Sequence, residues 1–137
     1  GDAPIAEVCD ELGLDEATLK RSVQTYSKGM AQLLGLAACL VSRRPILVLD
    51  EPMSGLDPVA RVRLNALLDR RRSEGATVLF TTHLLADAEE LADRVAVLHG
   101  GEIVADGPPR ALVERFGARD LQAAFVAAVG ARSALLH

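Results

Sequence analysis

The sequence predicts an α/β fold with a mostly parallel sheet, and three observations lead to this fold class. Two short runs of largely branched apolar residues, ILVLD at 46–50 and ATVLFTT at 76–82, have the length and composition of buried strands. Helix-like stretches lie before, between and after them, so that helices and strands alternate. Two further strand-like runs flank Gly100-Gly101, which predicts a hairpin forming the antiparallel rim of the sheet.

The chain before about residue 43 is predicted to be helical throughout. Apolar residues recur at helical spacing over 5–12 and stop at Gly13, a residue type that often ends helices. A second short helix is expected over 15–22. The Ala- and Leu-rich stretch 30–41 is long enough for a buried helix, and Ser27 is placed to cap its amino terminus.

The middle of the chain is predicted to run from strand to loop, helix and strand. Pro45 ends the preceding helix. After the first strand, the Pro and Gly content of 51–58 indicates a loop. Asp57 and Pro58 have the residue types of a helix N-cap and a first helical position, and this helix is expected to stop at Gly75.

The remaining third of the chain combines short helices with the hairpin. Its predicted elements are a helix at 84–94, strands at 95–99 and 102–107, a helix from Pro108 through Phe116, and a last helix at 120–129.

The composition is that of a globular protein and excludes several functions. Half of the 137 residues are hydrophobic and a quarter are charged. The net charge of −4 argues against nucleic-acid binding, and the basic run at 70–72 is expected on a solvated helix face. No apolar run is long enough to cross a bilayer, and no secretory signal is present.

The two cysteines and the first residue give weaker indications about the redox compartment and about processing of the chain. Cys9 and Cys39 have no metal-ligand spacing around them and are expected to be buried free thiols in a reducing compartment. The sequence begins at Gly1 and not at Met, which suggests a fragment or a processed chain.

Three features that could carry chemistry are expected at strand and helix ends, where ligands bind in parallel α/β proteins. Asp50 and Glu51 end the first strand, where one acid can serve a magnesium ion and the next can orient or deprotonate a water. His83 follows the second strand and could reach a phosphate. Each acid could also be merely solvated, and the histidine could be a satisfied polar residue or a helix cap.

The third feature is YSKGM at 26–30, at the start of the long apolar helix. Its serine hydroxyl and backbone N–H groups could bind an anion, because helix amino termini carry unpaired donors and a partial positive charge. Simple capping by Ser27 would explain the same residues without a ligand.

Taken together, YSKGM, ILVLDE, SGLD and TTH resemble the second half of an ATP-binding cassette (ABC) nucleotide-binding domain. YSKGM is similar to the family's signature sequence, usually Leu-Ser-Gly-Gly-Gln. ILVLDE resembles the Walker B strand, SGLD the D-loop and His83 the switch histidine. The order and spacing also fit over nearly the whole chain. Met30 and the tail LQAAFVAAVG are most similar to exporters of the ABC-2 type, including drug-efflux ATPases.

The resemblance implies a fold and a division of the chain. The fold is the carboxyl-terminal half of a P-loop NTPase domain with part of a helical subdomain. Residues 1–43 would be the helical portion with the signature, 44–107 the α/β core, and 108–137 the carboxyl-terminal helices.

The resemblance also implies ATP and Mg²⁺ as ligands and assigns roles near the hydrolysed phosphate. Asp50 would help to hold Mg²⁺, and Glu51 would be the general base for the attacking water. His83 would contact the γ-phosphate and the base.

Further roles implied by the resemblance concern a second nucleotide-binding domain. Ser27 and Gly29 would contact the γ-phosphate of ATP bound by the other subunit, with Lys28 beside them where the family has a glycine. Asp57 would contact the partner subunit. A membrane permease would be the other partner, which implies a peripheral position at the cytoplasmic face of the membrane.

One family motif is absent from the sequence. A P-loop has the pattern G-x-x-x-x-G-K-[ST], but neither of the two lysines, Lys20 and Lys28, stands in such a context. We therefore expect the chain to be part of an ATPase and to bind ATP weakly or not at all by itself. Two alternatives remain open: an ABC ATPase acting on ribosomes or DNA, and a catalytically incompetent partner half-cassette.

Overall fold

The computed structural model describes residues 5–134, where helices and strands alternate as the sequence predicts. The helices are α1 (Ile5–Glu11), α2 (Glu16–Leu19), α3 (Lys28–Val41), α4 (Pro58–Ser73), α5 (Leu85–Leu91), α6 (Pro109–Arg115) and α7 (Leu121–Ala134). The strands are β1 (Ile46–Leu49), β2 (Thr77–Phe80), β3 (Val95–His99) and β4 (Glu102–Gly107). These elements form two compact units, which divide between Thr81 and Thr82.

The first unit is built on a parallel pair of strands joined by a helix. β1 and β2 pair from Ile46 opposite Thr77 to Leu49 opposite Phe80. The connecting helix α4 packs against β2, and α1 packs against α3. Buried apolar side chains from helices, strands and connecting segments fill this core; they include Val8, Leu12, Leu33, Leu36, Leu40, Leu47, Leu49, Leu64, Leu67 and Leu68.

The prediction that β1 and β2 are buried strands is correct for only one face of the pair. Leu47 and Leu49 are buried, whereas Val48 is 71% exposed and Ile46 is 62% exposed. On β2, Leu79 is 60% exposed. Side chains alternate between the two faces of a strand, and among residues 5–134 only one face is well covered.

The second unit contains the predicted hairpin. β3 and β4 are antiparallel, with a register shift between Val97 and Leu98. Gly100 and Gly101 turn the chain with φ of 58° and 80°, a region that glycine enters without steric cost. The core of this unit comprises Ala88, Val97, Ala105, Leu112, Leu121 and Ala128. Within the described residues the hairpin forms a two-stranded sheet of its own, so the prediction that it forms the rim of the parallel sheet is wrong.

The second helix and one of the cysteines differ from the predictions. The expected helix at 15–22 is limited to Glu16–Leu19, followed by a 3₁₀ turn at Val23–Thr25. Both cysteines are free, but only Cys9 is buried and Cys39 is exposed. The division of the chain into residues 1–43, 44–107 and 108–137 stays a prediction. Neither the mixed helix–strand content nor the packing into two units tests it. None of the helices within residues 5–134 is both long and apolar enough to cross a membrane.

Candidate functional site

The end of β1 is held to the end of β2 through a threonine hydroxyl. Thr81, directly after β2, donates from Oγ1 to Oδ1 of Asp50. The same oxygen of Thr81 accepts a hydrogen bond from the backbone N–H of Glu51 at 3.0 Å. One hydroxyl therefore fixes a carboxylate and the following backbone amide, across 31 and 30 residues of sequence.

The loop from Glu51 to Asp57 has an unusual backbone at its first residue. Glu51 has φ of +47°, a left-handed conformation that residues other than glycine rarely adopt. Its carbonyl oxygen accepts a hydrogen bond from the Ser54 N–H at 3.0 Å. Pro52 and Met53, which follow Glu51, are both buried. The buried residues anchor the loop, while the half-buried Glu51 lies at its start.

Asp57 ends this loop and begins α4. Its Oδ1 accepts hydrogen bonds from the N–H groups of Val59 and Ala60, both at 2.9 Å. Pro58 occupies the first turn of the helix. The capping prediction for Asp57 is therefore confirmed, and its implied contact with a partner subunit stays a prediction.

The start of α3 is capped as the sequence predicts. The Oγ of Ser27 accepts a hydrogen bond from the Met30 N–H at 3.2 Å. Ser27 and Lys28 are both exposed, and Gly29 is half-buried. Capping satisfies only one of the first N–H groups of this 14-residue helix, and the N–H groups of Lys28 and Gly29 lie in the turn where anions bind to helices.

The start of α3 lies close to the loop after β1. A Cβ atom placed on Gly29 would be 3.1 Å from the carbonyl oxygen of Gly55 and 4.0 Å from Cδ2 of Leu56. A glycine at this position permits a close backbone approach that a side chain would resist. The structure thus brings YSKGM and SGLD together within the first unit.

Two residues of this region were missed by sequence reasoning. The side-chain amide of Gln32, on α3, donates to the carbonyl oxygens of Glu51 and Pro52 at 3.1 and 2.8 Å. Thr81 is the second residue. Gln32 did give a signal, because it is the only amide side chain in a largely apolar helix, while Thr81 stands in TTH two residues before His83.

His83 belongs to the second unit and is exposed. Its neighbour Thr82 makes local hydrogen bonds, accepting from the Leu84 N–H at 3.0 Å. The implied role of His83 near the γ-phosphate and the base stays a prediction.

The carboxylate of Asp50, at the end of β1, could hold a hydrated Mg²⁺ ion. Within residues 5–134, no three His, Cys, Asp or Glu side chains are grouped so that they could hold a metal ion. Asp50 uses Oδ1 for its hydrogen bond with Thr81, which leaves Oδ2 for a hydrated ion. Mg²⁺ is commonly held by one or two carboxylates together with water and phosphate oxygens, so a single exposed carboxylate suits it.

Comparisons with known proteins find a matching family model and curated relatives described as ATP-binding proteins. A family model described as "AAA domain, putative AbiEii toxin, Type IV TA system" matches residues 14–86. The chain is 39% identical over 117 residues to the daunorubicin/doxorubicin resistance ATP-binding protein DrrA of Streptomyces peucetius. This match covers 85% of the chain and 35% of the relative. The chain spans only about a third of the length of the curated relatives it matches first.

Two solved structures show the same fold. The first is described as the ATP-binding subunit of an ABC transporter; it matches with a TM-score of 0.83 and 31% identity, over 90% of this chain and 52% of that chain. The second is a dimeric post-hydrolysis state of an ATP-binding cassette bound to ADP and Pi, with a TM-score of 0.69 and 25% identity. That match covers 74% of this chain and 44% of the other.

Proposed function

This chain belongs to the AAA-domain family that it matches and to the ABC transporter ATP-binding proteins, and we propose that it contributes the hydrolytic part of an exporter's nucleotide-binding domain. In this proposal the chain acts after a P-loop segment that grips the ATP phosphates. We call a polypeptide in which this chain is joined to such a segment the complete ATPase. By itself, the chain binds ATP weakly or not at all.

The observation that carries the proposal is the pair of hydrogen bonds that Thr81 makes with Asp50 and with the backbone of Glu51. It gives adjacent acids different surroundings, with Asp50 paired to a hydroxyl and Glu51 turned by a left-handed backbone. In the proposal, Asp50 serves Mg²⁺, which neutralises phosphate charge when bound. Glu51 takes the proton of the attacking water, and His83 contacts the γ-phosphate.

A second nucleotide-binding domain is the proposed partner at the start of α3. Ser27, Lys28 and Gly29 would receive the γ-phosphate of ATP held by that partner, with the N–H groups of the helix start as donors. Asp57 would contact the partner beside the same loop. The dimeric cassette bound to ADP and Pi supports this arrangement by analogy.

The remaining partner is a membrane permease, with the chain at the cytoplasmic face of the membrane. A relative named Nod factor export ATP-binding protein I, from Neorhizobium galegae, supports an exporter, and the relative named for daunorubicin and doxorubicin resistance agrees with it. Transporter names among the relatives favour this proposal over an ABC ATPase that acts on ribosomes or DNA.

The test is Glu51→Gln in the complete ATPase. We expect turnover to fall by at least about a hundredfold, because the amide cannot accept the proton, with ATP binding retained. ATP binding with a fluorescent analogue and phosphate release are measured on the same preparation, and Glu90→Gln, an exposed position on α5, is the matched control. Unchanged turnover in Glu51→Gln would remove Glu51 as the base.

A further inference from the structure

The side chain of Gln32 joins α3 to the first two residues of the loop after β1. Its Nε2 donates to the carbonyl oxygen of Glu51 at 3.1 Å and to that of Pro52 at 2.8 Å. These carbonyls lie 19 and 20 residues further along the chain. A carboxamide has two N–H donors, and here both hydrogens have an acceptor.

The backbone that Gln32 holds is strained. The φ of +47° at Glu51 is sterically unfavourable for a residue with a side chain and persists only where the surroundings over-determine it. Thr81 fixes the N–H of Glu51 and Ser54 contacts its carbonyl, but the Ser54 bond lies within the loop. Gln32 therefore donates a hydrogen bond to the Glu51 carbonyl oxygen from outside the loop.

Gln32 is also tied to the start of α3 by helix geometry. Residues three apart lie on the same helix face, so Gln32 lies one turn after Gly29 on the side that meets the loop. Gly29 closely approaches Gly55, and Gln32 bonds to Glu51 and Pro52. One helix face thus contacts the loop near both of its ends.

We propose that Gln32 is a positioning residue that holds the backbone of Glu51 so that its carboxylate faces the attacking water. The inference rests on the proposed function, since it requires Glu51 to be the base. Because Gln32 sits one turn from the proposed phosphate-binding start of α3, it also links that helix start to the base within one chain. A role in packing alone would need only a side chain of similar volume.

Three substitutions in the complete ATPase separate these roles. Gln32→Met keeps the length and loses the donors, Gln32→Lys keeps a donor, and Gln32→Glu presents a negative charge to two carbonyl oxygens. We expect kcat to fall about tenfold in Gln32→Met and further in Gln32→Glu, with KM for ATP unchanged, and to be partly restored in Gln32→Lys. Gln122→Glu, at an exposed position on α7, is the charge-matched control and should behave as wild type.

The same substitutions in a Glu51→Gln background test whether Gln32 acts through the base. Residual turnover is followed under single-turnover conditions, and we expect Gln32→Met to add no further loss there. An additional tenfold loss in that background would overturn the inference, as would full activity of Gln32→Met or lower activity of Gln32→Lys than of Gln32→Met. If Gln32→Glu fails to fold, the Met and Lys variants carry the comparison.

Failure of the inference and failure of the proposed function give different results. If Glu51→Gln retains turnover, the proposed function fails, whatever the Gln32 variants do. If Glu51→Gln loses turnover and Gln32→Met does not, only the positioning role of Gln32 fails.

Discussion

The residues that follow the carboxyl-terminal ends of β1 and β2 carry the predicted chemistry, but these two segments are held in place by different kinds of contact. After β1, the loop that begins at Glu51 is held by side chains distant in sequence, Gln32 and Thr81. After β2, Thr81 bonds across to Asp50 and Glu51, whereas the side chain of the next residue, Thr82, bonds within its own turn, to Leu84. The segment that carries the proposed base is therefore fixed by the tertiary structure, whereas Thr82, beside His83, is held by local contacts.

Among the substitutions that probe this comparison, the largest effect should come from Thr81→Val. In Thr81→Val, Asp50 and the Glu51 N–H both lose a partner, and we expect a loss of about 1–2 kcal/mol of unfolding free energy. ATPase activity of the complete ATPase should fall about tenfold, because the acids lose their alignment. Urea unfolding and phosphate release measure the two effects.

Thr82→Val is the matched control for that substitution. Among residues 5–134 its hydroxyl bonds only to the nearby Leu84, so the cost should stay below about 1 kcal/mol. Equal losses of unfolding free energy in Thr81→Val and Thr82→Val would contradict the distinction between long-range and local hydrogen bonds.

A smaller effect is expected from two glycines of α3. Gly35 is exposed, and no atom of the described residues lies within 4 Å of the position that an added methyl group would take. Gly35→Ala should therefore stabilise the protein by about 0.5–1 kcal/mol through helix propensity. In Gly29→Ala the methyl group would lie 3.1 Å from the Gly55 oxygen, which should cancel that gain and displace the loop. Thermal unfolding of both variants tests this; an equal gain at both glycines would show that the approach of α3 to the loop is not tight.

These contacts mark the limit of what the sequence could predict. The caps at Ser27 and Asp57 could be predicted because a cap bonds to N–H groups two or three residues away. The hairpin could be predicted because Gly100-Gly101 is a local turn signal. The bonds of Gln32 and Thr81 could not, because they join residues 19 to 31 positions apart. The single amide of α3 indicates that Gln32 needs a partner but does not indicate which residue that partner is.

The burial of β1 shows a second limit. Every residue of ILVL is apolar, so the run gives no indication of which face is covered. Leu47 is 4% exposed and its neighbour Val48 is 71% exposed, a difference that depends entirely on what packs against each face. Composition could thus predict a strand at 46–50, but not that one of its faces is exposed within the described part of the chain.

The smallest effect should come from an exposed ion pair of the second unit, which contrasts with the neutral hydrogen bonds around Glu51. Arg94 donates to both carboxylate oxygens of Asp106, at 2.9 and 2.6 Å. The hydrogen bond from Arg94 holds the pKa of Asp106 below its ordinary value of 3.8. A lowered carboxyl pKa stabilises the fold above the unfolded-state pKa, and this contribution is lost as the pH falls through the lower folded-state value.

Acid unfolding of wild type, Arg94→Gln, Asp106→Asn and the double variant measures this contribution. When the pH is lowered below 3.8, we expect the wild type to lose slightly more unfolding free energy than Asp106→Asn. The coupling energy between Arg94→Gln and Asp106→Asn should shrink with added salt, because salt screens exposed ion pairs. Exposed pairs contribute little, so the coupling should be the smallest of the effects predicted for these variants. A coupling as large as the Thr81→Val effect would mean that the second unit, too, depends on specific polar contacts for its stability.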